Sequence, residues 1–374
     1  MDFDFSPEQK EIRHQARKML AAECDLKRVR RVLDGEALYD APLWEQIAAL
    51  GWLGIAIPEA YGGVGLGYGG LCVIAEELGR ALAPVPVSSS IYLAAEAILQ
   101  AGDEETKEAW LPSLAAGEKI GTLALAEGIA PLDALDRVQT RCVDGQLTGV
   151  KLPVPDGCIA DFAIVSARVG AAGDATGLYI VELDAPGVHR ETLQSIDPSR
   201  PQARLVFDHA PAVPLGAPEQ TGAVLRRVLD RAAALIAFEQ IGGADAALAM
   251  ATDYGKLRHA FGRPIGSFQA IKHKLADMYT RNELARSNAY YAAWALDSSE
   301  ADVPLAAAAA RVAASEAYEY AAKENIQTHG GIGATWEADM HLHYRRSRLL
   351  MLMLDSPPQW RQRLVAQLEQ RVAA

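Results

Sequence analysis

The chain has 374 residues, half of them hydrophobic, and a formal charge of −12 at pH 7. That length exceeds what one hydrophobic core usually supports, so two or three domains are expected. An acidic chain has no general attraction for nucleic acid or an anionic membrane, and its basic residues gain meaning only where they cluster.

The first residues, Met-Asp-Phe-Asp-Phe-Ser-Pro-Glu-Gln, lack the basic and apolar regions of a secretory signal, so a cytosolic protein is expected. Ser6, Pro7 and Gln9 supply an N-cap, a first-turn proline and a capping-box partner for a helix to about Ala22. Helical apolar spacing returns at Leu43–Ala49, Leu71–Leu82 and Tyr92–Ala101. Between the first two of these lies Gly51–Gly67, a glycine-rich stretch that reads as a packed connector.

From about Lys119 the pattern alternates with a β period, in Gly121–Ala126, Val138–Cys142, Gln146–Val150, Ala160–Ala167, Leu178–Leu183 and Ala203–Phe207. These runs predict a small antiparallel β-domain. After Pro214 the pattern is helical to the end. Its most apolar stretch, Ala232–Met250, is broken by Glu239, Asp245 and paired glycines, which predicts a buried helix and no membrane span. An alanine-rich helix follows at Leu305–Thr328. Cys24, Cys72, Cys142 and Cys158 have no CxxC spacing and read as packing thiols in a reducing compartment.

The densest motif is Tyr254-Gly-Lys-Leu-Arg-His-Ala-Phe-Gly-Arg-Pro-Ile-Gly-Ser-Phe-Gln269, followed later by Gln327-Thr-His-Gly-Gly-Ile-Gly333. The glycines of the latter have the outline of a GxGxxG fingerprint, but no strand precedes them, so a Rossmann reading is poor. Together the two motifs resemble the flavin-binding C-terminal domain of acyl-CoA dehydrogenases. The resemblance covers the whole chain in domain order and implies a mostly α, three-domain fold with a central β-domain: a helical domain at 1–118, a β-domain at 119–212 and a four-helix-bundle domain at 213–374. It also implies FAD lying across a subunit boundary, in contact with Arg258, Phe261, Phe268, Gln269, Gln327, Gly330 and Gly331 of the neighbouring chain. A guanidinium such as that of Arg258 suits the pyrophosphate, because its planar fork donates paired charge-assisted hydrogen bonds. The plainer readings are an exposed helix arginine and, for Gly330 and Gly331, a glycine helix stop. Ala260 departs from the family, where glutamine is common.

Other family features are missing. The β-domain hydroxyl motif is replaced by Ala126-Glu-Gly-Ile-Ala-Pro-Leu-Asp133, and the motif packing against the flavin ring by Leu152-Pro-Val-Pro155. The family reaction needs a carboxylate base while a hydride passes to flavin N5. Its two known positions fall here on Ala232 and Leu354. Glu239, Asp355 and Glu337 are the remaining candidates, Glu239 foremost because burial raises a carboxylate pKa toward a useful value; the plainer reading is a hydrogen-bonded structural carboxylate. His329, His341 and His343 lack partners at metal-ligand spacing, and no metal is expected. Arg345, Arg346 and Arg348 form a basic run suited to a CoA or FAD phosphate; the plainer and preferred reading is pairing with carboxylates of an acidic protein.

This one-sided inventory resembles the partner subunit of heteromeric α2β2 acyl-CoA dehydrogenases, some of which act on steroid-type CoA thioesters. It implies an acyl-CoA substrate, a paralogous acyl-CoA dehydrogenase subunit, electron-transfer flavoprotein as acceptor and a tetramer. Two alternatives remain: a self-sufficient homotetramer with a displaced base, and a non-enzymatic fold relative that acts as a binding protein.

Overall fold

The computed structural model describes residues 4–173 and 175–373. The chain begins with α1 (Pro7–Glu23), nucleated by the expected capping box: Ser6 Oγ accepts from Gln9 N at 3.2 Å and Gln9 Oε1 accepts from Ser6 N at 2.9 Å. There follow α2 (Leu26–Leu33), α3 (Ala41–Ala49), α4 (Gly67–Arg80), α5 (Glu96–Ala101, continuing a buried π-helical turn over Ser88–Ala95) and α6 (Glu104–Ala115). Apolar spacing locates α3, α4 and α5 but misses α2 and α6. Their signal lies in the caps, since Asp25 accepts from Arg28 N at 2.9 Å and Asp103 from Thr106 N at 2.9 Å.

The strands are β1 (Gly121–Ala124), β2 (Arg141–Val143), β3 (Gln146–Pro155), β4 (Phe162–Val169), β5 (Thr176–Glu182), β6 (Val188–Leu193), β7 (Gln202–Pro211) and β8 (Val213–Leu215). They form one sheet in the order β6-β7-β3-β2-β4-β5-β8, with β1 also paired to β4. The expectation of an antiparallel sheet is corrected: β1 and β2 both run parallel to β4. The reason is visible in β4, where every residue from Phe162 to Ala167 is buried. A strand covered on both faces tolerates parallel neighbours. The sequence patterns also miss β6, whose Val-His-Arg-Glu-Thr-Leu run stays largely exposed at the sheet edge.

The rest is helical apart from a short hairpin: α7 (Thr221–Leu257), β9 (His259–Ala260), β10 (Arg263–Pro264), α8 (Gln269–Ser298), α9 (Val303–His329), α10 (Met340–Leu352) and α11 (Pro357–Ala373). Pro218–Leu257 is the one helix among the described residues long and apolar enough to cross a membrane, and 72% of its apolar window is buried inside the protein.

Contacts divide the chain into two compact units. One comprises the segments 30–67 and 84–232 and holds the sheet. Its π-helical turn buries three serines, each with a polar partner. Arg200 donates to Ser88 Oγ at 3.0 Å, Ser89 donates to Asp156 at 2.6 Å and Gly121 N donates to Ser90 Oγ at 3.2 Å.

The other unit comprises the chain up to Val29, Tyr68–Ala83 and the chain from Ala233 onward. Here α8, α10 and α11 all pack on α9. The paired glycines of α7 explain how closely its neighbours approach. A Cβ on Gly242 would sit 1.8 Å from Glu76 O of α4, and one on Gly243 would sit 2.4 Å from the Tyr318 ring of α9. Gly79 of α4 is equally constrained, with its would-be Cβ 2.0 Å from Glu239 O. The α4–α7–α8 contact carries a charge network in which Arg286 bonds Glu76 at 2.7 Å and also Asp245, while Arg80 reaches Asp245 at 3.0 Å.

Candidate functional site

The loop after α7 is built as a projection. Arg258 N still bonds Tyr254 O at 2.8 Å, closing the helix, and Ile265 N bonds Arg258 O at 2.8 Å, closing the hairpin β9–β10. Between them Phe261 (φ 53°) and Gly262 (φ 79°) both adopt the left-handed conformation of a tight two-residue hairpin turn. Glycine takes this freely, but a phenylalanine there is strained by about 1–3 kcal/mol. The Phe261 ring is also 95% exposed. A strained backbone holding a large apolar ring in solvent costs stability with no return inside the chain. Phe268 lies edge-on to Phe261 at 6.3 Å and carries the Arg263 guanidinium 4.0 Å above its ring. Arg258 and Gln269 are exposed on the same loop.

The second motif ends α9. Gly330 (φ 64°) stops the helix, as a glycine must at that angle, and Gln327, Gly330 and Gly331 are exposed. No protein atom lies within 4 Å of a Cβ built on Gly330 or Gly331, so the backbone is open to close approach. Tyr254 stacks on His329 with ring centroids 4.1 Å apart, which brings the ends of α7 and α9 together. His329 is fixed in turn by its Nδ1, 2.8 Å from Asn325 O. Sequence reasoning singled out the flanking motifs but not this pair. An exposed guanidinium, open backbone and an uncovered aromatic ring on neighbouring segments match the needs of a dinucleotide's pyrophosphate and adenosine. The residues present therefore fit FAD. Ala260, half-buried, supplies no polar group.

The stretch that replaces the hydroxyl motif is occupied by an internal ion pair. Glu127 accepts from Lys151 at 2.7 Å and from the backbone N–H groups of Gln139 at 2.6 Å and Thr140 at 3.0 Å. Lys151 is fully buried and also donates to Ser166 Oγ and Leu125 O. Burial drives its ammonium down to about 8, which the Glu127 carboxylate only partly offsets. Burial also acts on Glu127, but its bonds to Lys151 and Thr140 prevail and hold it below the usual carboxylate range. Beside this pair Ile129 is fully exposed.

Ala232 and Leu354, the two positions that the sequence resemblance implies for the base, are buried and apolar. Glu239 is 1% exposed and lies within electrostatic reach of Arg311, as does Asp355. Asp355 is itself bonded to Arg363 at 2.9 Å. Glu337 is exposed beside Trp336, which stacks on His341 at 4.9 Å and lies under Arg345. Two of the three carboxylates are thus buried around a guanidinium and the third faces solvent, so they do not form one centre.

His343 and the arginines of α10 are held by contacts within the chain. His343 is buried, with Nδ1 3.1 Å from Tyr318 Oη, and burial together with Arg346 and Arg80 drives it down to about 3. Arg348 pairs with Glu319 at 2.5 Å, buried Arg346 donates to Leu82 O at 3.3 Å, and Arg345 donates to His341 at 3.3 Å. Arg348 thus takes a carboxylate partner, as its basic run suggests. Among the described residues no group of three or more His, Cys, Asp or Glu is placed to hold a metal.

A mostly helical chain with a mixed sheet and an exposed, dinucleotide-fitting loop has the features of a flavoprotein. Residues 6–118 match the acyl-CoA dehydrogenase N-terminal domain and residues 222–353 the acyl-CoA dehydrogenase C-terminal domain. Acyl-CoA dehydrogenase IpdE2 of Mycobacterium tuberculosis is 33% identical over 361 residues, 96% of each chain. A solved variant of the Tcur3481-Tcur3483 steroid acyl-CoA dehydrogenase is 34% identical, with a TM-score of 0.88 over 98% of this chain and 99% of that one. The ChsE4-ChsE5 complex of Mycobacterium tuberculosis is 27% identical, with a TM-score of 0.87 over 99% of each. The chain belongs to the acyl-CoA dehydrogenase family, FAD-dependent oxidoreductases or components of them.

Proposed function

We propose that this chain is the partner subunit of a heteromeric acyl-CoA dehydrogenase and completes the FAD site of a paralogous catalytic subunit. The observation that carries the reading is Phe261, held at φ 53° and 95% exposed between Arg258 and Phe268. The strain and exposure of that ring are compensated once a neighbour's cofactor covers it. Arg258 would then hold the pyrophosphate, and Gln327, Gly330 and Gly331 the adenosine portion. Bound FAD supplies the acceptor for the hydride removed from the acyl chain.

The chain's own half of the site supports the same reading. Glu127 and Lys151 neutralise each other where relatives place hydroxyl groups, and Ala232 and Leu354 cannot take a proton. The division at 1–118, 119–212 and 213–374 belongs to this reading, with the last part mediating assembly into an α2β2 tetramer. We extend the steroid-type substrate class from the Tcur3481-Tcur3483 relative to this assembly, with electrons passing on to electron-transfer flavoprotein.

Co-expression with a paralogous subunit that retains the hydroxyl motif and the base, followed by flavin quantitation and an artificial-acceptor assay, tests the proposal. The expected result is a yellow, active complex, with the chain by itself flavin-poor and inactive. Stoichiometric FAD and turnover in the chain expressed alone would establish the self-sufficient homotetramer instead.

A further inference from the structure

Between α1 and Tyr290 of α8 lies an open groove of about 300 Å³, lined by Asp4, Lys10, Arg13, His14, Arg17 and Tyr290. The four basic side chains fall three and four positions apart, so a single stripe of the helix carries them all. Glu8 and Glu11 of the same helix do not line the groove. In an acidic chain this concentration of basic groups stands out, and none of them belongs to the dinucleotide-fitting loop.

Arg13 is the anion-recognising group. Its guanidinium lies 5.0 Å over the Phe5 ring, and Nη1 donates to Tyr290 Oη at 3.2 Å. Phe5 meets Tyr290 edge-on at 4.8 Å, so the two rings hold the guanidinium in place. Nε is buried, but Nη2 is open to solvent and bonds nothing among the described residues, where no carboxylate pairs with Arg13. One turn on, Arg17 gives Nε and Nη2 to Glu77 of α4, at 2.9 and 2.7 Å, and leaves Nη1 open. His14 lies between the two arginines, exposed and without a hydrogen bond among the described residues. Lys10 ends the row, paired with Asp4 at 2.5 Å. Three cations against two carboxylates leave one positive charge in excess, and the aromatic wall behind Arg13 strengthens its pull on an anion.

We propose that this groove binds a phosphoryl dianion, as free phosphate or as a phosphate monoester, through Arg13 Nη2, Arg17 Nη1 and the His14 ring. Donors on three side chains of successive turns reach a bound group from different directions. That suits the three oxygens of a tetrahedral phosphoryl group better than the two coplanar oxygens of a carboxylate. The ligand would supply the acceptors that the chain itself does not offer to either arginine's open nitrogen.

Phenyl phosphate, inorganic phosphate and benzoate are titrated into the full chain by calorimetry. Expected are one saturable phenyl phosphate site per chain, competition by inorganic phosphate, and roughly tenfold or more weaker binding of benzoate, the loss of a charge-assisted hydrogen bond. Tighter binding of the ester identifies a phosphorylated small molecule as the ligand, and equal affinity identifies the free ion. His14→Glu, at an exposed position with no hydrogen bond to lose, sets a carboxylate in the groove and should weaken phenyl phosphate binding by roughly tenfold or more with the melting temperature retained. Arg13→Gln should weaken it likewise, and if that variant does not fold, His14→Glu decides alone. Absence of saturable binding, equal binding of benzoate, or phenyl phosphate binding undiminished by His14→Glu each overturns the proposal.

Discussion

Tyr254 and His329 stack at 4.1 Å with their rings 27° apart, and this contact couples two motifs that lie 75 positions apart in the chain. Arg258 follows Tyr254 by one helical turn, and Gln327 precedes His329 by two residues. The contact ties the position of each motif to the other, and under the proposed function it would brace a ligand that spans both. Arg258 itself is left exposed, as a group reserved for a partner would be.

Arg258→Ala is therefore expected to weaken FAD retention in the assembled complex by about tenfold to a hundredfold, the loss of a charge-assisted contact of roughly 1.5–3 kcal/mol. Arg258→Lys should recover only part, since an ammonium lacks the planar fork. Flavin occupancy after dialysis is the measurement, and unchanged occupancy in the alanine variant removes Arg258 from the site.

Acid should destabilise the protein through His343. Its folded value, about 3, lies below the ordinary 6.5, so the neutral ring is favoured in the folded state. The unfolded chain binds the proton first as pH falls. The stabilising contribution is complete above about pH 6.5 and declines by roughly 1.4 kcal/mol per pH unit toward pH 3. His343→Gln should lower stability at neutral pH and flatten the acid limb. Melting temperatures of both proteins between pH 7 and pH 4 check this; parallel curves would rule it out.

Much of the architecture was legible from residues alone: the capping box of Ser6 and Gln9, the alanine-rich α9 and the buried α7 all lie where their patterns place them. Periodicity failed where charge masked it, as in the four cations of α2, and where one face never becomes buried, as in β6. The parallel pairing of β1 and β2 with β4 depends on long-range contacts that no local pattern carries. At the candidate site, residue types were readable but their engagement was not. Nothing in the spacing of Glu127 and Lys151 announces a buried pair, and the stacking role of His329 was hidden behind a metal-like cluster of histidines.

Glu239 gives the test of a displaced base. It is 1% exposed, its backbone carbonyl lies against Gly79, and its charge supports the buried Arg311. Glu239→Gln should therefore destabilise the fold by about 1–4 kcal/mol while leaving turnover per flavin in the complex unchanged. Thermal melts and steady-state assays separate the outcomes. A loss of turnover by a factor on the order of 10²–10⁴ with the melting temperature preserved would make Glu239 the base.

Two glycines of one turn should behave oppositely. A Cβ at Gly331 meets no atom within 4 Å, so Gly331→Val should change the stability of the isolated chain by less than about 0.5 kcal/mol. The same side chain occupies the space through which a dinucleotide would approach the backbone, and flavin content of the complex should fall several-fold by the order of one lost contact. At Gly333, buried two residues on, a Cβ would sit 2.4 Å from Ile326 O and 2.9 Å from His329 Cβ. Gly333→Ala must therefore push α9 and its helix stop apart, at a cost of about 1–3 kcal/mol to the chain itself. Melting curves of the isolated variants and flavin spectra of their complexes distinguish the two. If Gly331→Val kept full flavin content, the Gln327–Gly331 turn would not be a cofactor contact; if it melted early, the open space at Gly331 would be filled by the chain's own atoms.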